Sequence, residues 1–408
     1  MAAPTRGSRR GPLQHLRVID LSRVRSGPMA TRQLADWGAD VIRVESINDK
    51  TDGMAGRRNS TDYENTHRNK RSLALNLKTP EGLEILKSLV RDADVLVENF
   101  RPDVKDRLGI GYDTLAAINP RLVYASVSGF GQTGPYANRP GLDQVIQGMS
   151  GLMSVTGEPG GTPYRVGLPI GDLTAGLFTA IAIFTALEER HVTGRGRWVE
   201  VNLLQALVTL MDFQAARWLV DGEVAGATGN HHPVFIPTGT FATTDGHINV
   251  AASGGELWKK LARVIGRPDL IEDVRFVTDD RRNANRDALN AIIADRLATR
   301  SSADWIAAFN EAGVPCGEIY RMDQVFADPQ VQHLGIAEPV THDILGHDIH
   351  LVGRPFRIDG ADLSPFRRTA MSGEHTDAVL RGLGYDDARI DALRQAGVIG
   401  GDPDRQGD

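Results

Sequence analysis

Apolar residues recur along this chain in two periods, and the switches between them outline its elements. Short β-prone runs at 16–21 (LRVIDL), 41–45 (VIRVE), 73–77 (LALNL), 95–98 (VLVE), 122–126 (LVYAS) and 198–201 (WVEV) read as strands. Stretches of helical period lie between them at 29–37, 80–91, 103–108 and 112–118. Pro28 opens the first and Gly38 closes it, while Thr79-Pro80-Glu81 supplies a cap, a proline at the first helical position and an acid. Regular alternation of this kind predicts an α/β fold, a doubly wound parallel sheet of Rossmann-like type. The polar stretch 46–71 has no period and reads as a long loop or lid, ending in the basic cluster Arg68, Lys70, Arg71.

The most apolar stretch is 167–190, GLPIGDLTAGLFTAIAIFTALEER. From Leu173 to Leu187 only three Thr and one Gly interrupt it. A membrane span needs about 20 residues, so the run predicts a buried core helix, with Asp172 as its N-cap. A second helix is predicted over 203–220. Beyond it the chain loosens, and a smaller α/β domain follows. That domain has a hairpin at 241–252 turning on Asp-Gly and helices at 257–264, 286–298, 303–312 and 322–327. Short strands within 338–358 and a helix opened by Gly373-Glu374-His375-Thr376 bring the chain back. The expected organisation is a disordered tail 1–12, a large domain 13–225, a small domain 230–335, a return to the large domain 336–400 and a tail 401–408.

Composition narrows the function classes. The 408 residues carry 46 Lys and Arg against 52 Asp and Glu, a net charge of −6. No basic field or polybasic block argues for nucleic acid or a membrane surface. A single cysteine, Cys316, excludes an intrachain disulfide and a cysteine-rich metal site, and it fits a reducing, cytoplasmic setting. The opening MAAPTRGSRRGP is basic but lacks the apolar core of a secretory signal.

In a doubly wound sheet the ligand crevice lies beyond the C-terminal ends of the strands. The segments expected there are Arg25-Ser26, Glu45-Ser46, Asn76 to Lys78, Asn99 to Arg101, and Ser128 onward. Their cations and amides suit an anionic, nucleotide-like ligand. Gly129-Phe130-Gly131-Gln132-Thr133-Gly134 satisfies G-x-G-x-x-G, but Pro135 follows and the stretch belongs to the fifth strand. A nicotinamide-dependent oxidoreductase is therefore a minor alternative. His231-His232 reads as a loop pair, since adjacent side chains diverge and no third ligand is near. Asp143 begins a helix and, like Asp172, has capping as its simplest role.

Taken together these motifs resemble the family III CoA-transferases, the group of formyl-CoA transferase and carnitine CoA-transferase. The match rests on SGP after the first strand, LADWGADVIRVE, NKRSLALNLKTPEG, DVLVENFRP, NPRLVYASVSGFGQTGPY, the GD before the apolar helix, TGRGRWVEV and GEHTDAVL, in the family's order. The resemblance implies a CoA-transferase with Asp172 as nucleophile and Asp143 where formyl-CoA transferase has a catalytic glutamate. It implies CoA binding by Arg25, Ser26, Leu75, Asn76, Leu77, Lys78, Asn99, Phe100, Arg101 and Arg107. It also implies acyl-CoA and a free carboxylic acid as substrates, no metal or ATP, and a homodimer of interlocked rings. Two departures refine it. Only Ser253-Gly254-Gly255 stands where formyl-CoA transferase has a longer glycine run, which points away from the formate/oxalate pair and toward dicarboxylate-using members that pass CoA from succinyl-CoA to a branched or unsaturated diacid. Leu142 stands where the family's α-methylacyl-CoA racemase has a His before the Asp, so racemization is the weaker alternative. Arg25, Arg68 and Arg139 are the candidates for a second carboxylate.

Overall fold

A computed structural model describes residues 10–47, 58 and 60–401. It divides into two compact units: 1–152 with 166–216 and 334–408, and 153–165 with 217–333. The expected boundary at 225–230 thus falls inside the second unit. Of the expected tails, Arg10 is described and donates its backbone N–H to Ser364. Residues 1–9 and 402–408 lie outside the described residues.

The first unit holds a six-stranded sheet. Its strands are β1 (Arg17–Asp20), β2 (Asp40–Glu45), β3 (Arg71–Ala74), β4 (Val95–Glu98), β5 (Val123–Ser128) and β6 (Trp198–Asn202), all parallel, in the order β3-β2-β1-β4-β5-β6. Strands this apolar on both faces need cover on both. Helices α1 (Ser26–Asp36), α2 (Thr61–His67), α3 (Pro80–Arg91), α4 (Pro102–Arg107), α5 (Tyr112–Ile118), α6 (Asp143–Met149), α7 (Ile170–Thr193), α8 (Leu203–Leu210) and α9 (Asp212–Asp221) lie between or after them. Ile19, Ile42 and Leu96 face one core with Leu86 and Leu89 of α3. Val18, Val41, Val95 and Val97 face the other with Leu34 of α1 and Ala175 and Ile183 of α7. The alternation along each strand is the period-2 signature of a covered parallel sheet.

The second unit contains a three-stranded antiparallel sheet, β7 (Thr238–Ala242), β8 (His247–Ala251) and β9 (Cys316–Glu318), in that order. Around its apolar core lie α10 (Gly255–Val264), α11 (Asp279–Ala284), α12 (Arg286–Leu297) and α13 (Ser302–Ala312), then α14 (Met322–Ala327) and α15 (Pro329–Leu334). The chain re-enters the first unit through the hairpin β10 (Ala337–Val340) and β11 (Ile349–Val352), then α16 (Thr376–Gly382) and α17 (Asp387–Gln395).

Four differences from the pattern-based reading have physical causes. The stretch 46–71, of which 48–57 and 59 lie outside the described residues, contains α2. Ser60 caps it by accepting from the Tyr63 N–H, and seven polar residues are too few to show a period. The helix expected over 203–220 is two helices, because Asp212 adopts φ 44°, a left-handed turn that Asp tolerates. The basic cluster is internal: Arg68 pairs with Asp36, Lys70 with Asp20 and Arg71 with Asp40. Arg68 is 1% exposed and stacks on Phe366, so it is no candidate for a substrate carboxylate. Finally, α7 runs to 24 residues, long and apolar enough by composition to cross a membrane; half of its most apolar window is buried inside the fold.

Candidate active site

The switch point of a 3-2-1-4-5-6 sheet lies between β1 and β4, where the loops leave in opposite directions and open a crevice. Asn99 sits there. Its Oδ1 accepts from the Arg23 N–H at 2.8 Å and its Nδ2 donates to the Arg23 carbonyl at 2.7 Å, stitching the β4 loop to the β1 loop. Val24 follows at φ 61°, a left-handed conformation that is strained for a β-branched residue. The turn delivers Arg25 as the N-cap of α1, with no side chain capping its first N–H groups. Arg25 pairs with Asp62 of α2.

α1 lies against α7, and Gly176 sets how closely. A Cβ at 176 would meet the Ser26 carbonyl at 2.8 Å and the Met29 Cβ at 2.9 Å. Asp172 stands one turn earlier on the same face. The close approach brings the Ser26 side chain beside the Asp172 carboxylate, where it favours the charged form.

Asp172 is not the N-cap. Pro169 is, with no side-chain cap bond, and Asp172 is the third residue of the helix. The orphan N–H groups of this end are met from another helix. Asp143 Oδ1 accepts from Gly171 N–H at 2.8 Å and Asp172 N–H at 3.3 Å. Gly171 allows this, since its missing Cβ would lie 3.1 Å from that oxygen. Two carboxylates therefore share one helix N-terminus. Burial, and then the Asp143 charge, push the Asp172 carboxyl up to about 6, against the pull of Arg25 and Ser26. Asp172 is partly exposed, so it remains reachable.

The remaining sequence-selected residues divide by exposure. Lys78 and Arg101 are exposed and have no ion-pair partner among the described residues. Arg107 is exposed and 3.7 Å from Asp103. Leu75 is buried and bridges to Ile399. Asn76 is held by Val398, and its Oδ1 accepts from the Lys78 N–H at 3.1 Å, shaping the loop after β3. Leu77 and Phe100 are partly buried against the core. All follow a parallel strand, so all lie on the same edge of the sheet. Cations with no carboxylate partner fit the phosphates of a CoA thioester.

Residues 129–142 are turns, and no helix opens until α6, so GFGQTG is not a dinucleotide fingerprint. Gly129 instead packs on Gly141, where a Cβ would come within 2.9 Å, and Lys105 of α4 holds Gln132 at 2.6 Å. Among the described residues no group of three or more His, Cys, Asp or Glu is placed to hold a metal. His232 Nδ1 accepts from Val234 and Phe235 N–H groups, a loop role. Sequence reasoning missed Gln147, which is fully buried between Asp143 and the approach to α7. A polar residue at an apolar-face position of α6 was its only signal.

Residues 13–376 match the family model described as CoA-transferase family III. Succinyl-CoA:glutarate CoA-transferase of Homo sapiens is 36% identical over 394 residues, covering 95% of this chain and 90% of that one. Acetyl-CoA:oxalate CoA-transferase of Acetobacter aceti is 37% identical over 386 residues, with 93% and 98% covered. The crystal structure of a CAIB/BAIF family protein from Brucella suis superposes with a TM-score of 0.79 at 36% identity, covering 92% of this chain and 100% of that one. The chain belongs to CoA-transferase family III and is an enzyme that transfers coenzyme A.

Proposed function

We propose that this enzyme moves CoA from succinyl-CoA or a similar thioester to a free dicarboxylic acid through covalent intermediates on Asp172. The carrying observation is Asp172 itself: a reachable carboxylate at a helix N-terminus whose proton affinity is raised to about 6. It is still mostly ionised at pH 7, and more basic than an ordinary aspartate. Both properties suit a nucleophile.

The Asp172 carboxylate attacks the thioester carbonyl. The C–S bond breaks, leaving a mixed anhydride and CoA thiolate. Thiolate attacks the aspartyl carbonyl and expels the donor acid, giving an aspartyl-CoA thioester. The acceptor carboxylate attacks that carbonyl and expels thiolate again. Thiolate then attacks the acceptor's acyl carbon, forming the product thioester and restoring the Asp172 carboxylate. Each step exchanges one acyl bond for another, so neither ATP nor metal is needed. Lys78 and Arg101 bind the CoA phosphates. In this reading Asp143 acts through Asp172, as the remote cap of its helix.

The dicarboxylate class rests on the relatives, whose names include glutarate and oxalate as acceptors. Arg139, exposed over Phe130 and Tyr136, is the candidate for the second carboxylate. A homodimer in the cytoplasm completes the proposal: Leu177, Ile181 and Phe184 of α7 are 49%, 57% and 40% exposed, an apolar face suited to a second copy. Racemization is disfavoured by Leu142, which cannot transfer a proton.

The test is a mass-spectrometric screen of succinyl-CoA against glutarate, oxalate and monocarboxylates. Glutaryl-CoA formation that Asp172→Ala abolishes, with CoA still bound, is the expected result. Transfer retained in Asp172→Ala would overturn the aspartyl reading, and transfer to monocarboxylates alone would overturn the substrate class.

A further inference from the structure

Gln147 is fully buried, yet every polar atom of its side chain is used. Its Nε2 donates to Asp143 Oδ2 at 2.7 Å and to the Leu168 carbonyl at 3.2 Å, and its Oε1 accepts from the Val166 N–H at 2.9 Å. One amide thus joins α6 to the segment 166–169 that leads into α7. The other oxygen of Asp143 is the one that caps Gly171 and Asp172. A buried amide with three partners has one orientation, since any rotation leaves a donor or acceptor unmet.

We propose that Gln147 is a positioning residue for the transfer reaction, fixing Asp143 as the remote cap of α7 and so fixing where the Asp172 carboxylate meets the thioester. This inference rests on the aspartyl reading above. Gln147 touches no substrate in this account. It aims Asp143 from one side and anchors the approach to α7 from the other. Asp172 cannot drift from its attack position without breaking a hydrogen bond in one of the two.

The experiment is a double-mutant cycle in kcat with succinyl-CoA and glutarate as probes. Gln147→Met keeps the volume and removes all three hydrogen bonds. Gln147→Glu keeps the acceptor for Val166 but sets a carboxylate against Asp143. Both should lower kcat about 100-fold, the effect of displacing a reacting group by roughly an ångström, and leave the KM for succinyl-CoA within about twofold of wild type. In an Asp143→Ala background Gln147→Met should add less than about threefold, because the group it aims is gone. Urea midpoints on every variant separate lost folding from lost positioning. Multiplicative effects in the cycle, or wild-type kcat in Gln147→Glu, would overturn the inference. An active Asp172→Ala would instead overturn the aspartyl reading, so the two failures are distinguishable.

Discussion

Two aspartates of the first unit meet burial in opposite ways. Asp20, at the end of β1, is completely buried. Burial pushes its carboxyl up, but Lys70 at 2.9 Å and bonds from Ser22 and Thr31 outweigh it and leave it below the ordinary aspartate range. Asp172 is less buried and less compensated. Arg25 is shared with Asp62, Ser26 offsets only part of the burial, and Asp143 repels, so the carboxyl rises to about 6. The fold neutralises the carboxylate that holds the sheet to its loops. It leaves undercompensated the one that can react.

The comparison breaks first at Lys70. Lys70→Met leaves Asp20 charged, buried and without its ion-pair partner, so urea denaturation should show a loss of about 3–5 kcal/mol. A loss under about 1 kcal/mol would mean that Ser22 and Thr31 suffice. Gly176→Val tests the other side. The added side chain pushes α1 off α7, with an expected cost of about 1–3 kcal/mol and a fall in kcat from the lost Ser26 contact. Calorimetry and turnover measured together check it.

The smallest effect concerns pH. Asp172 binds its proton more tightly folded than unfolded. Its favourable contribution is therefore present below its ordinary value near 4 and is lost as pH rises through about 6. Asp172→Asn removes that loss. It should gain about 1–2 kcal/mol over wild type at pH 8, discounted for partial exposure, and about half that at pH 5. Equal gains at both pH values would contradict the raised proton affinity.

Much of this was legible in the sequence because parallel strands and their helices are local patterns. VLVE and the helix after Thr79-Pro80 are found where the pattern predicts. The family resemblance likewise holds over residues 13–376. The pairing of distant groups was not legible. Asp172 looks like a cap because it precedes an apolar run. The actual cap is a side chain 29 residues earlier, reached only after the chain has folded. Arg68 looks available to a substrate carboxylate, and Lys70 and Arg71 look like loop charges, because their counter-ions Asp36, Asp20 and Asp40 lie some thirty to fifty residues away. Gln147 shows only a polar residue on an apolar helix face, since its partners are mostly backbone atoms.

The central claim is that Asp172 becomes acylated, and trapping tests it most directly. Enzyme mixed with succinyl-CoA and hydroxylamine, then digested with trypsin, should yield an aspartyl hydroxamate in the peptide between Arg165 and Arg190, located at Asp172 by fragmentation. Asp172 left unmodified while the enzyme turns over, or a label on another residue, would contradict the account.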